Sequence, residues 1–195
     1  MELVKKFLDL ETGVPEEISL AEMASSLMVE DENGLKPSLT TVLIQEVERF
    51  NTLLRIARNS LEKLEMAING TISMSQKLDE VYQSFLKRKV PLLWENYAYP
   101  SLKPLHSWVE DLRMRIAFIT RWVKKGNPLH YWLPGLFFPH GYLTGVLQTY
   151  SREETNADEK IAIDRLKFEF AVVDLSPDEL TEPPEVSRLN LKEKY

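Results

Sequence analysis

The chain has 195 residues, with 24 Lys plus Arg against 30 Asp plus Glu, a formal net charge of −6, and no cysteine. The lack of cysteine excludes disulfides, thiolate zinc sites, iron–sulfur clusters and cysteine nucleophiles together, and the negative charge argues against a general nucleic-acid binder. With 44% apolar and 28% charged residues the sequence reads as globular, one domain or two small ones, and seven glycines, about half the usual share, favour helix over a Gly-rich nucleotide fold.

No segment approaches the ~20 apolar residues that span a bilayer, so no membrane partner is expected. The N-terminus lacks the basic-then-apolar order of a secretory signal, which makes a cytosolic or otherwise reducing compartment the expectation. Gly and Pro are absent from 38–69, 71–90, 105–125 and 146–176, windows long enough for helices. By contrast, six prolines and three glycines crowd into 91–141, as packed turns require.

In chain order, a short helix is expected at Glu2–Leu10, a turn at Gly13–Pro15, a weaker helix near Ile18–Met28 and an exposed loop at Glu30–Gly34. Ser38, just after Pro37, has the chemistry of an N-cap for a helix running to about Asn69, with Gly70 placed to end it. Leu43, Val47, Phe50, Leu54, Ala57, Leu61, Leu64 and Ile68 fall at a 4-3 spacing, one apolar stripe along one face. A second helix over Ser75–Arg88 carries Met74, Leu78, Val81, Tyr82 and Phe85 on one side, and the short connection makes an antiparallel hairpin of the two. Phe50 is then expected in the hairpin core, near Tyr82 or Phe85. A third helix from Leu105 to Lys125 is striped by Leu105, Trp108, Val109, Leu112, Ile116, Ile119 and Val123, and Gly126-Asn127-Pro128 stops it. Residues 129–150 form an aromatic-rich block broken by Pro134, Pro139 and Gly141, with Tyr142–Arg152 helical. Glu153–Lys160 reads as a solvated loop, Leu166–Val173 alternates as a half-buried strand, and Pro177–Tyr195 is a polar tail.

Little of this can carry chemistry. A phosphate-binding loop needs glycines to wrap the phosphates and then Lys followed by Ser or Thr, and no lysine here is so followed. There is no GxGxxG, GxSxG, HExxH or calcium loop. His106, His130 and His140 are the only histidines; His130 and His140 flank the aromatic block and have Asp164 as the one candidate orienting carboxylate. Packing at helix ends is the plainer role for all three. The pairs Glu46/Glu48 and Glu153/Glu154 lie on expected exposed faces, and Lys87-Arg88-Lys89 and Arg121–Lys125 fall at helix C-termini, where the helix dipole favours cations. Trp132, Phe137, Phe138 and Tyr142 read either as a binding surface or as core beneath a bent loop.

Several phrases, in order, change this reading. Val42-Leu43-Ile44-Gln45-Glu46-Val47-Glu48-Arg49-Phe50-Asn51, Pro91-Leu92-Leu93-Trp94 with Tyr99-Pro100-Ser101-Leu102-Lys103-Pro104-Leu105, Tyr131–Phe138, Phe138–Ser151 and Ile161–Phe170 each resemble a phrase of dynein heavy chains, over roughly 37–185. The Leu143-Thr144-Gly145-Val146-Leu147-Gln148 wording looks more like axonemal than cytoplasmic heavy chains. The resemblance implies the small helical part of the sixth AAA module followed by the start of the C-terminal domain. It implies a mainly α fold: a long helical hairpin and further helices, with one or two short β-strands from an incomplete C-terminal barrel. The family's Gly-rich barrel strands are expected after Glu185, where this sequence reads VSRLNLKEKY, so it resembles a version cut before the barrel is complete, and its strand at Leu166–Val173 is expected to self-associate or to lack order.

The organisation this gives is an N-terminal helical segment at 1–35, the hairpin at 36–98, the start of the C-terminal domain at 99–176 and a flexible tail at 177–195. The implied function is a non-catalytic structural and regulatory part of a microtubule motor that completes and braces the AAA ring. Its implied partners are other AAA modules, dynein complex subunits and, through the parent motor, microtubules; its implied location is the cytoskeleton and the axoneme of cilia. No catalytic, cofactor-binding or metal residue of the family has a matching position, so none is assigned and no cofactor is expected. Arg49, Phe50, Trp94, Trp132 and Phe138 are the packing residues of this reading. The alternative is a free-standing helical adaptor that uses the hairpin at 38–88 to bind a partner helix.

Overall fold

Pro37 opens the longest element. Its carbonyl accepts the Thr41 N–H at 3.1 Å, and the helix that follows, α1, runs over Ser38–Ile68. Ser38 is therefore the first helical residue and not the cap, because the Pro37 carbonyl already makes the first helical bond. The computed structural model describes residues 14–29, 37–128 and 131–154. Among these, four further helices follow: α2 over Gln76–Leu86, α3 over Leu92–Glu95, α4 over Leu105–Lys125 and α5 over Pro139–Glu154, with single 3-10 turns at Leu20–Glu22, Ser25–Leu27 and Leu133–Gly135. The expected helix at Glu2–Leu10, the loop at Glu30–Gly34, the strand at Leu166–Val173 and the tail at Pro177–Tyr195 lie outside the described residues. Among the described residues the structure is helical and no strand occurs.

Helix ends follow the glycine signals. At the end of α1 the Thr71 N–H bonds the Met66 carbonyl at 2.8 Å and the Gly70 N–H bonds the Ala67 carbonyl at 3.1 Å, with Gly70 at φ +74°. These two bonds take up carbonyls that the helix leaves open, and the left-handed residue between them is a glycine because a side chain there is strained. Ser75 caps α2, its Oγ accepting the Leu78 N–H at 3.4 Å. Pro139 does not break the last helix. It is the first residue of α5, a position where the missing N–H costs nothing. That helix consequently takes in Gly141 as well as Glu153 and Glu154, the first residues of the expected loop.

The protein divides into two compact units, one of Met1–Ala21 with Gln45–Thr120 and one of Glu22–Ile44 with Arg121–Tyr195. The core of the first is the α1 stripe: Val47, Phe50, Leu54, Ala57, Leu61 and Leu64 are buried, as expected, together with Leu53, which the 4-3 stripe omits. Ile68 is only half-buried, so the stripe ends a turn early. On α2, Leu78, Val81 and Phe85 are buried, Tyr82 is half-buried and Met74, just before the helix, is exposed.

The extra burial on α1 comes with a strap from the N-terminal side. Val14 and Ile18 are buried. Asn51 accepts the Ile18 N–H at 2.7 Å and donates to the Ile18 carbonyl at 2.9 Å, while Arg58 donates to the carbonyls of Val14 (3.1 Å) and Pro15 (3.2 Å). Here lies the reason the helix expected at Ile18–Met28 does not form. Both backbone groups of Ile18 are engaged by α1 side chains, the Ala24 N–H bonds the Val123 carbonyl at 2.8 Å, and the Ser19 hydroxyl accepts the Ala21 N–H, leaving only two 3-10 turns.

Candidate functional site

The first unit places one carboxylate between two cations. Asp111, on α4, is buried; its Oδ1 accepts from Lys103 Nζ at 2.6 Å and its Oδ2 from Arg115 Nε at 2.7 Å. The Arg115 guanidinium carbon also lies 3.7 Å from the centre of the Tyr99 ring, a cation–π contact that uses the face left open by the ion pair. Burial acts to raise the Asp111 pKa, but the hydrogen bonds from Lys103 and Arg115 outweigh it and hold the carboxyl below its ordinary value. The Tyr99 hydroxyl is pushed well up, chiefly by burial and then by the Asp111 charge. A carboxylate so held is a permanent anion that fixes its neighbours; it is a poor general base at neutral pH.

An aromatic file continues from this cluster. Tyr99 stacks on Trp108 at 6.0 Å and 16°, Trp108 meets Trp94 at 5.7 Å, and Trp94 meets Phe85 edge-on at 5.4 Å and 67°. The Trp94 indole N–H donates to Ser60 Oγ at 2.8 Å, and that hydroxyl donates on to the Ala57 carbonyl at 2.7 Å. Four helices and the Tyr99–Leu105 loop therefore converge on one buried column: Ser60 from α1, Phe85 from α2, Trp94 from α3, Trp108 and Asp111 from α4. Each ring pair adds ~0.5–1.5 kcal/mol beyond its area, so the column stabilises the packing of these elements, and Asp111 is engaged by Lys103 and Arg115 beside it.

The second unit has a smaller aromatic group. Trp122 meets Tyr131 at 5.0 Å and Tyr142 at 6.3 Å, Tyr131 lies 4.6 Å from Tyr142, and the Trp122 N–H donates to Asn127 Oδ1 at 2.9 Å. Burial raises the pKa of both tyrosines. Trp132 lies flat against the backbone of Gly135, where a Cβ would strike its ring. A Cβ on Gly145 would lie 3.1 Å from Val42 Cγ2 and 3.6 Å from the Ser38 carbonyl, so this glycine lets α5 approach the first turns of α1.

The expected candidates fare unevenly. His106 is exposed beside Glu110 at 3.4 Å, and His140 is exposed on the first turn of α5. His130 and Asp164 lie outside the described residues, so the His130–His140–Asp164 grouping is not assembled among them. No group of three His, Asp or Glu side chains suited to a metal occurs among the described residues. Of the named packing residues, Phe50 and Trp94 are fully buried and Trp132 is half-buried, but Arg49 and Phe138 are exposed. Arg49 falls between the stripe positions Val47 and Phe50, and Phe138 rides over Gly141 on the outside of the α5 start. The aromatic block is thus divided: Tyr142 is core, Trp132 and Phe137 are half-buried, and Phe138 is surface. Glu46 is buried, not solvated, because it lies three residues after Leu43 and four before Phe50, on the buried face of α1. Sequence reasoning misses Asp111 and Arg115. Their signal is present as Trp108, Asp111 and Arg115 at i, i+3 and i+7, a flank of the α4 stripe.

Residues 1–189 match the model of the C-terminal domain of dynein heavy chains. The sequence is 47% identical over 173 residues to dynein axonemal heavy chain 6 of Homo sapiens and 41% identical over 173 residues to dynein axonemal heavy chain 1 of the same species. It is 40% identical over 176 residues to the dynein-1-beta heavy chain, flagellar inner arm I1 complex, of Chlamydomonas reinhardtii. These matches take in 88%, 89% and 90% of this protein but only 4% of the length of each relative. Among the described residues the fold is a helical module. The protein belongs to the C-terminal domain family of dynein heavy chains, with axonemal heavy chains among its relatives. The free-standing helical adaptor has no support from this family membership.

Proposed function

We propose that this protein serves as a non-catalytic structural and regulatory part of an axonemal dynein motor, completing and bracing the AAA ring while ATP is hydrolysed elsewhere in the heavy chain. In this reading residues 36–98 are the small helical part of an AAA module and 99–176 begin the C-terminal domain. Its partners are the other AAA modules and the subunits of the dynein complex, with microtubules reached through the motor as a whole, in the axoneme of cilia or flagella.

The observation that carries the reading is the column from Ser60 through Trp94 and Trp108 to Asp111. Trp94 and Tyr99 come from phrases that resemble dynein heavy chains, and the chemistry of the column is that of a rigid strut that transmits movement. The absence of any Lys-Ser or Lys-Thr step in the sequence points the same way. Titration of the protein with magnesium ATP in a calorimeter tests the non-catalytic part: no binding heat is expected, and micromolar affinity would overturn it.

A further inference from the structure

Three of the described helices end on a left-handed residue, and one of them does so at a cost. Gly70 (φ +74°) follows α1 and Gly126 (φ +87°) follows α4, but after α2 the same position is held by Arg88 at φ +54°. The Lys89 N–H bonds the Ser84 carbonyl at 2.9 Å and the Arg88 N–H the Phe85 carbonyl at 3.0 Å, so the turn is the one at Gly70 with a side chain that makes it strained. Strain of this kind at a surface residue calls for a use of the side chain.

The surroundings supply one. Lys87, Arg88 and Lys89 are all exposed, and none of them pairs with a carboxylate among the described residues, in a protein of net charge −6. The Leu105 N–H bonds the Arg88 carbonyl at 3.1 Å, which brings the Tyr99–Leu105 loop beside this basic turn. At the tip of that loop Leu102 is fully exposed, held between Pro100 and Pro104 and braced by the Lys103–Asp111 pair and by the Lys103 N–H on Ser101 Oγ. Leu86, Leu92 and Tyr97 along the same stretch are exposed as well. Glu95 is the acid on α3, the element between the turn and the loop.

We infer that the Lys87–Lys89 turn and the Leu102 loop form a docking surface for an acidic amphipathic segment of a partner protein, its carboxylates on the cations and its apolar side chains against Leu92 and Leu102. An anionic bilayer would meet the same cations, but it would also face the rest of a net-negative protein. A short acidic segment touches only the patch. The surface is independent of the motor reading.

The test uses a fluorescein-labelled peptide of repeated Glu-Glu-Leu-Leu and its Lys-for-Glu counterpart, with binding read by anisotropy. The acidic peptide is expected to bind, with affinity falling as salt rises from about 0.05 to about 0.2 M, and the basic peptide not to bind. Arg88→Gly is expected to raise the melting temperature by relieving the strain while weakening the peptide about fivefold, and Leu102→Ser to weaken it similarly with the melting temperature unchanged. Equal binding of both peptides, or wild-type affinity in both variants, would overturn the inference. So would flotation with phosphatidylserine vesicles without peptide binding, or a dimer of the protein that Leu102→Ser abolishes.

Discussion

Asp111 is the residue on which most depends. Its side chain is 4% exposed and that of Arg115 is 11% exposed, so removing one charge strands the other in a poorly hydrated place. Asp111→Asn should cost about 3–5 kcal/mol in urea denaturation. Lys103, with half its side chain in water, should matter far less, and Lys103→Met should cost under about 1 kcal/mol. The pH dependence has a definite sign. Because the folded carboxyl titrates below its ordinary value of 3.8, its contribution is fully present above that value and is lost as pH falls through the lower, folded one. Melting curves of the wild type and Asp111→Asn should therefore stay apart at neutral pH and begin to approach one another only as the pH falls below about 4. Little of this cluster is legible in the sequence. Asp111 and Arg115 are one helical turn apart, yet Ser60, Phe85, Trp94 and Tyr99 reach the column from other elements, and side-chain periodicity says nothing of such long-range meetings. Arg49 and Phe138 show the converse: membership in a recognisable phrase does not make them core.

At the scale of elements the sequence is far more legible, and for a physical reason. α1, α2 and α4 bury long apolar stripes and end on Gly or on a Gly-like turn, so local preference and tertiary packing agree. Phe50, completely enclosed, should give up about 3–5 kcal/mol on change to Ala, measured by denaturation. Ser75→Ala should cost about 1 kcal/mol, the worth of the α2 cap. The stretch 18–28 departs from the expected helix because its backbone groups are taken by Asn51 and by Val123 before a local helix can use them. The start of α5 departs from expectation because a proline can open a helix as readily as it breaks one, and Pro139 opens. Gly145 adds an expectation of its own: a valine there would crowd Val42 and the Ser38 carbonyl, costing about 1–3 kcal/mol, checked by thermal melting.

For the molecule as a whole, the proposed role makes the column in the first unit a mechanical brace for a motor that hydrolyses ATP elsewhere. A brace of this kind affects movement through rigidity, since coupling across packed elements needs them to keep one arrangement. The direct measurement is microtubule gliding by a dynein heavy chain with Asp111→Asn, compared with its wild type at saturating ATP. Slower gliding or loss of the assembled motor is expected, with nucleotide affinity at the ATP-binding modules retained wherever the motor assembles. Gliding at wild-type velocity by a fully assembled variant would contradict the proposed role.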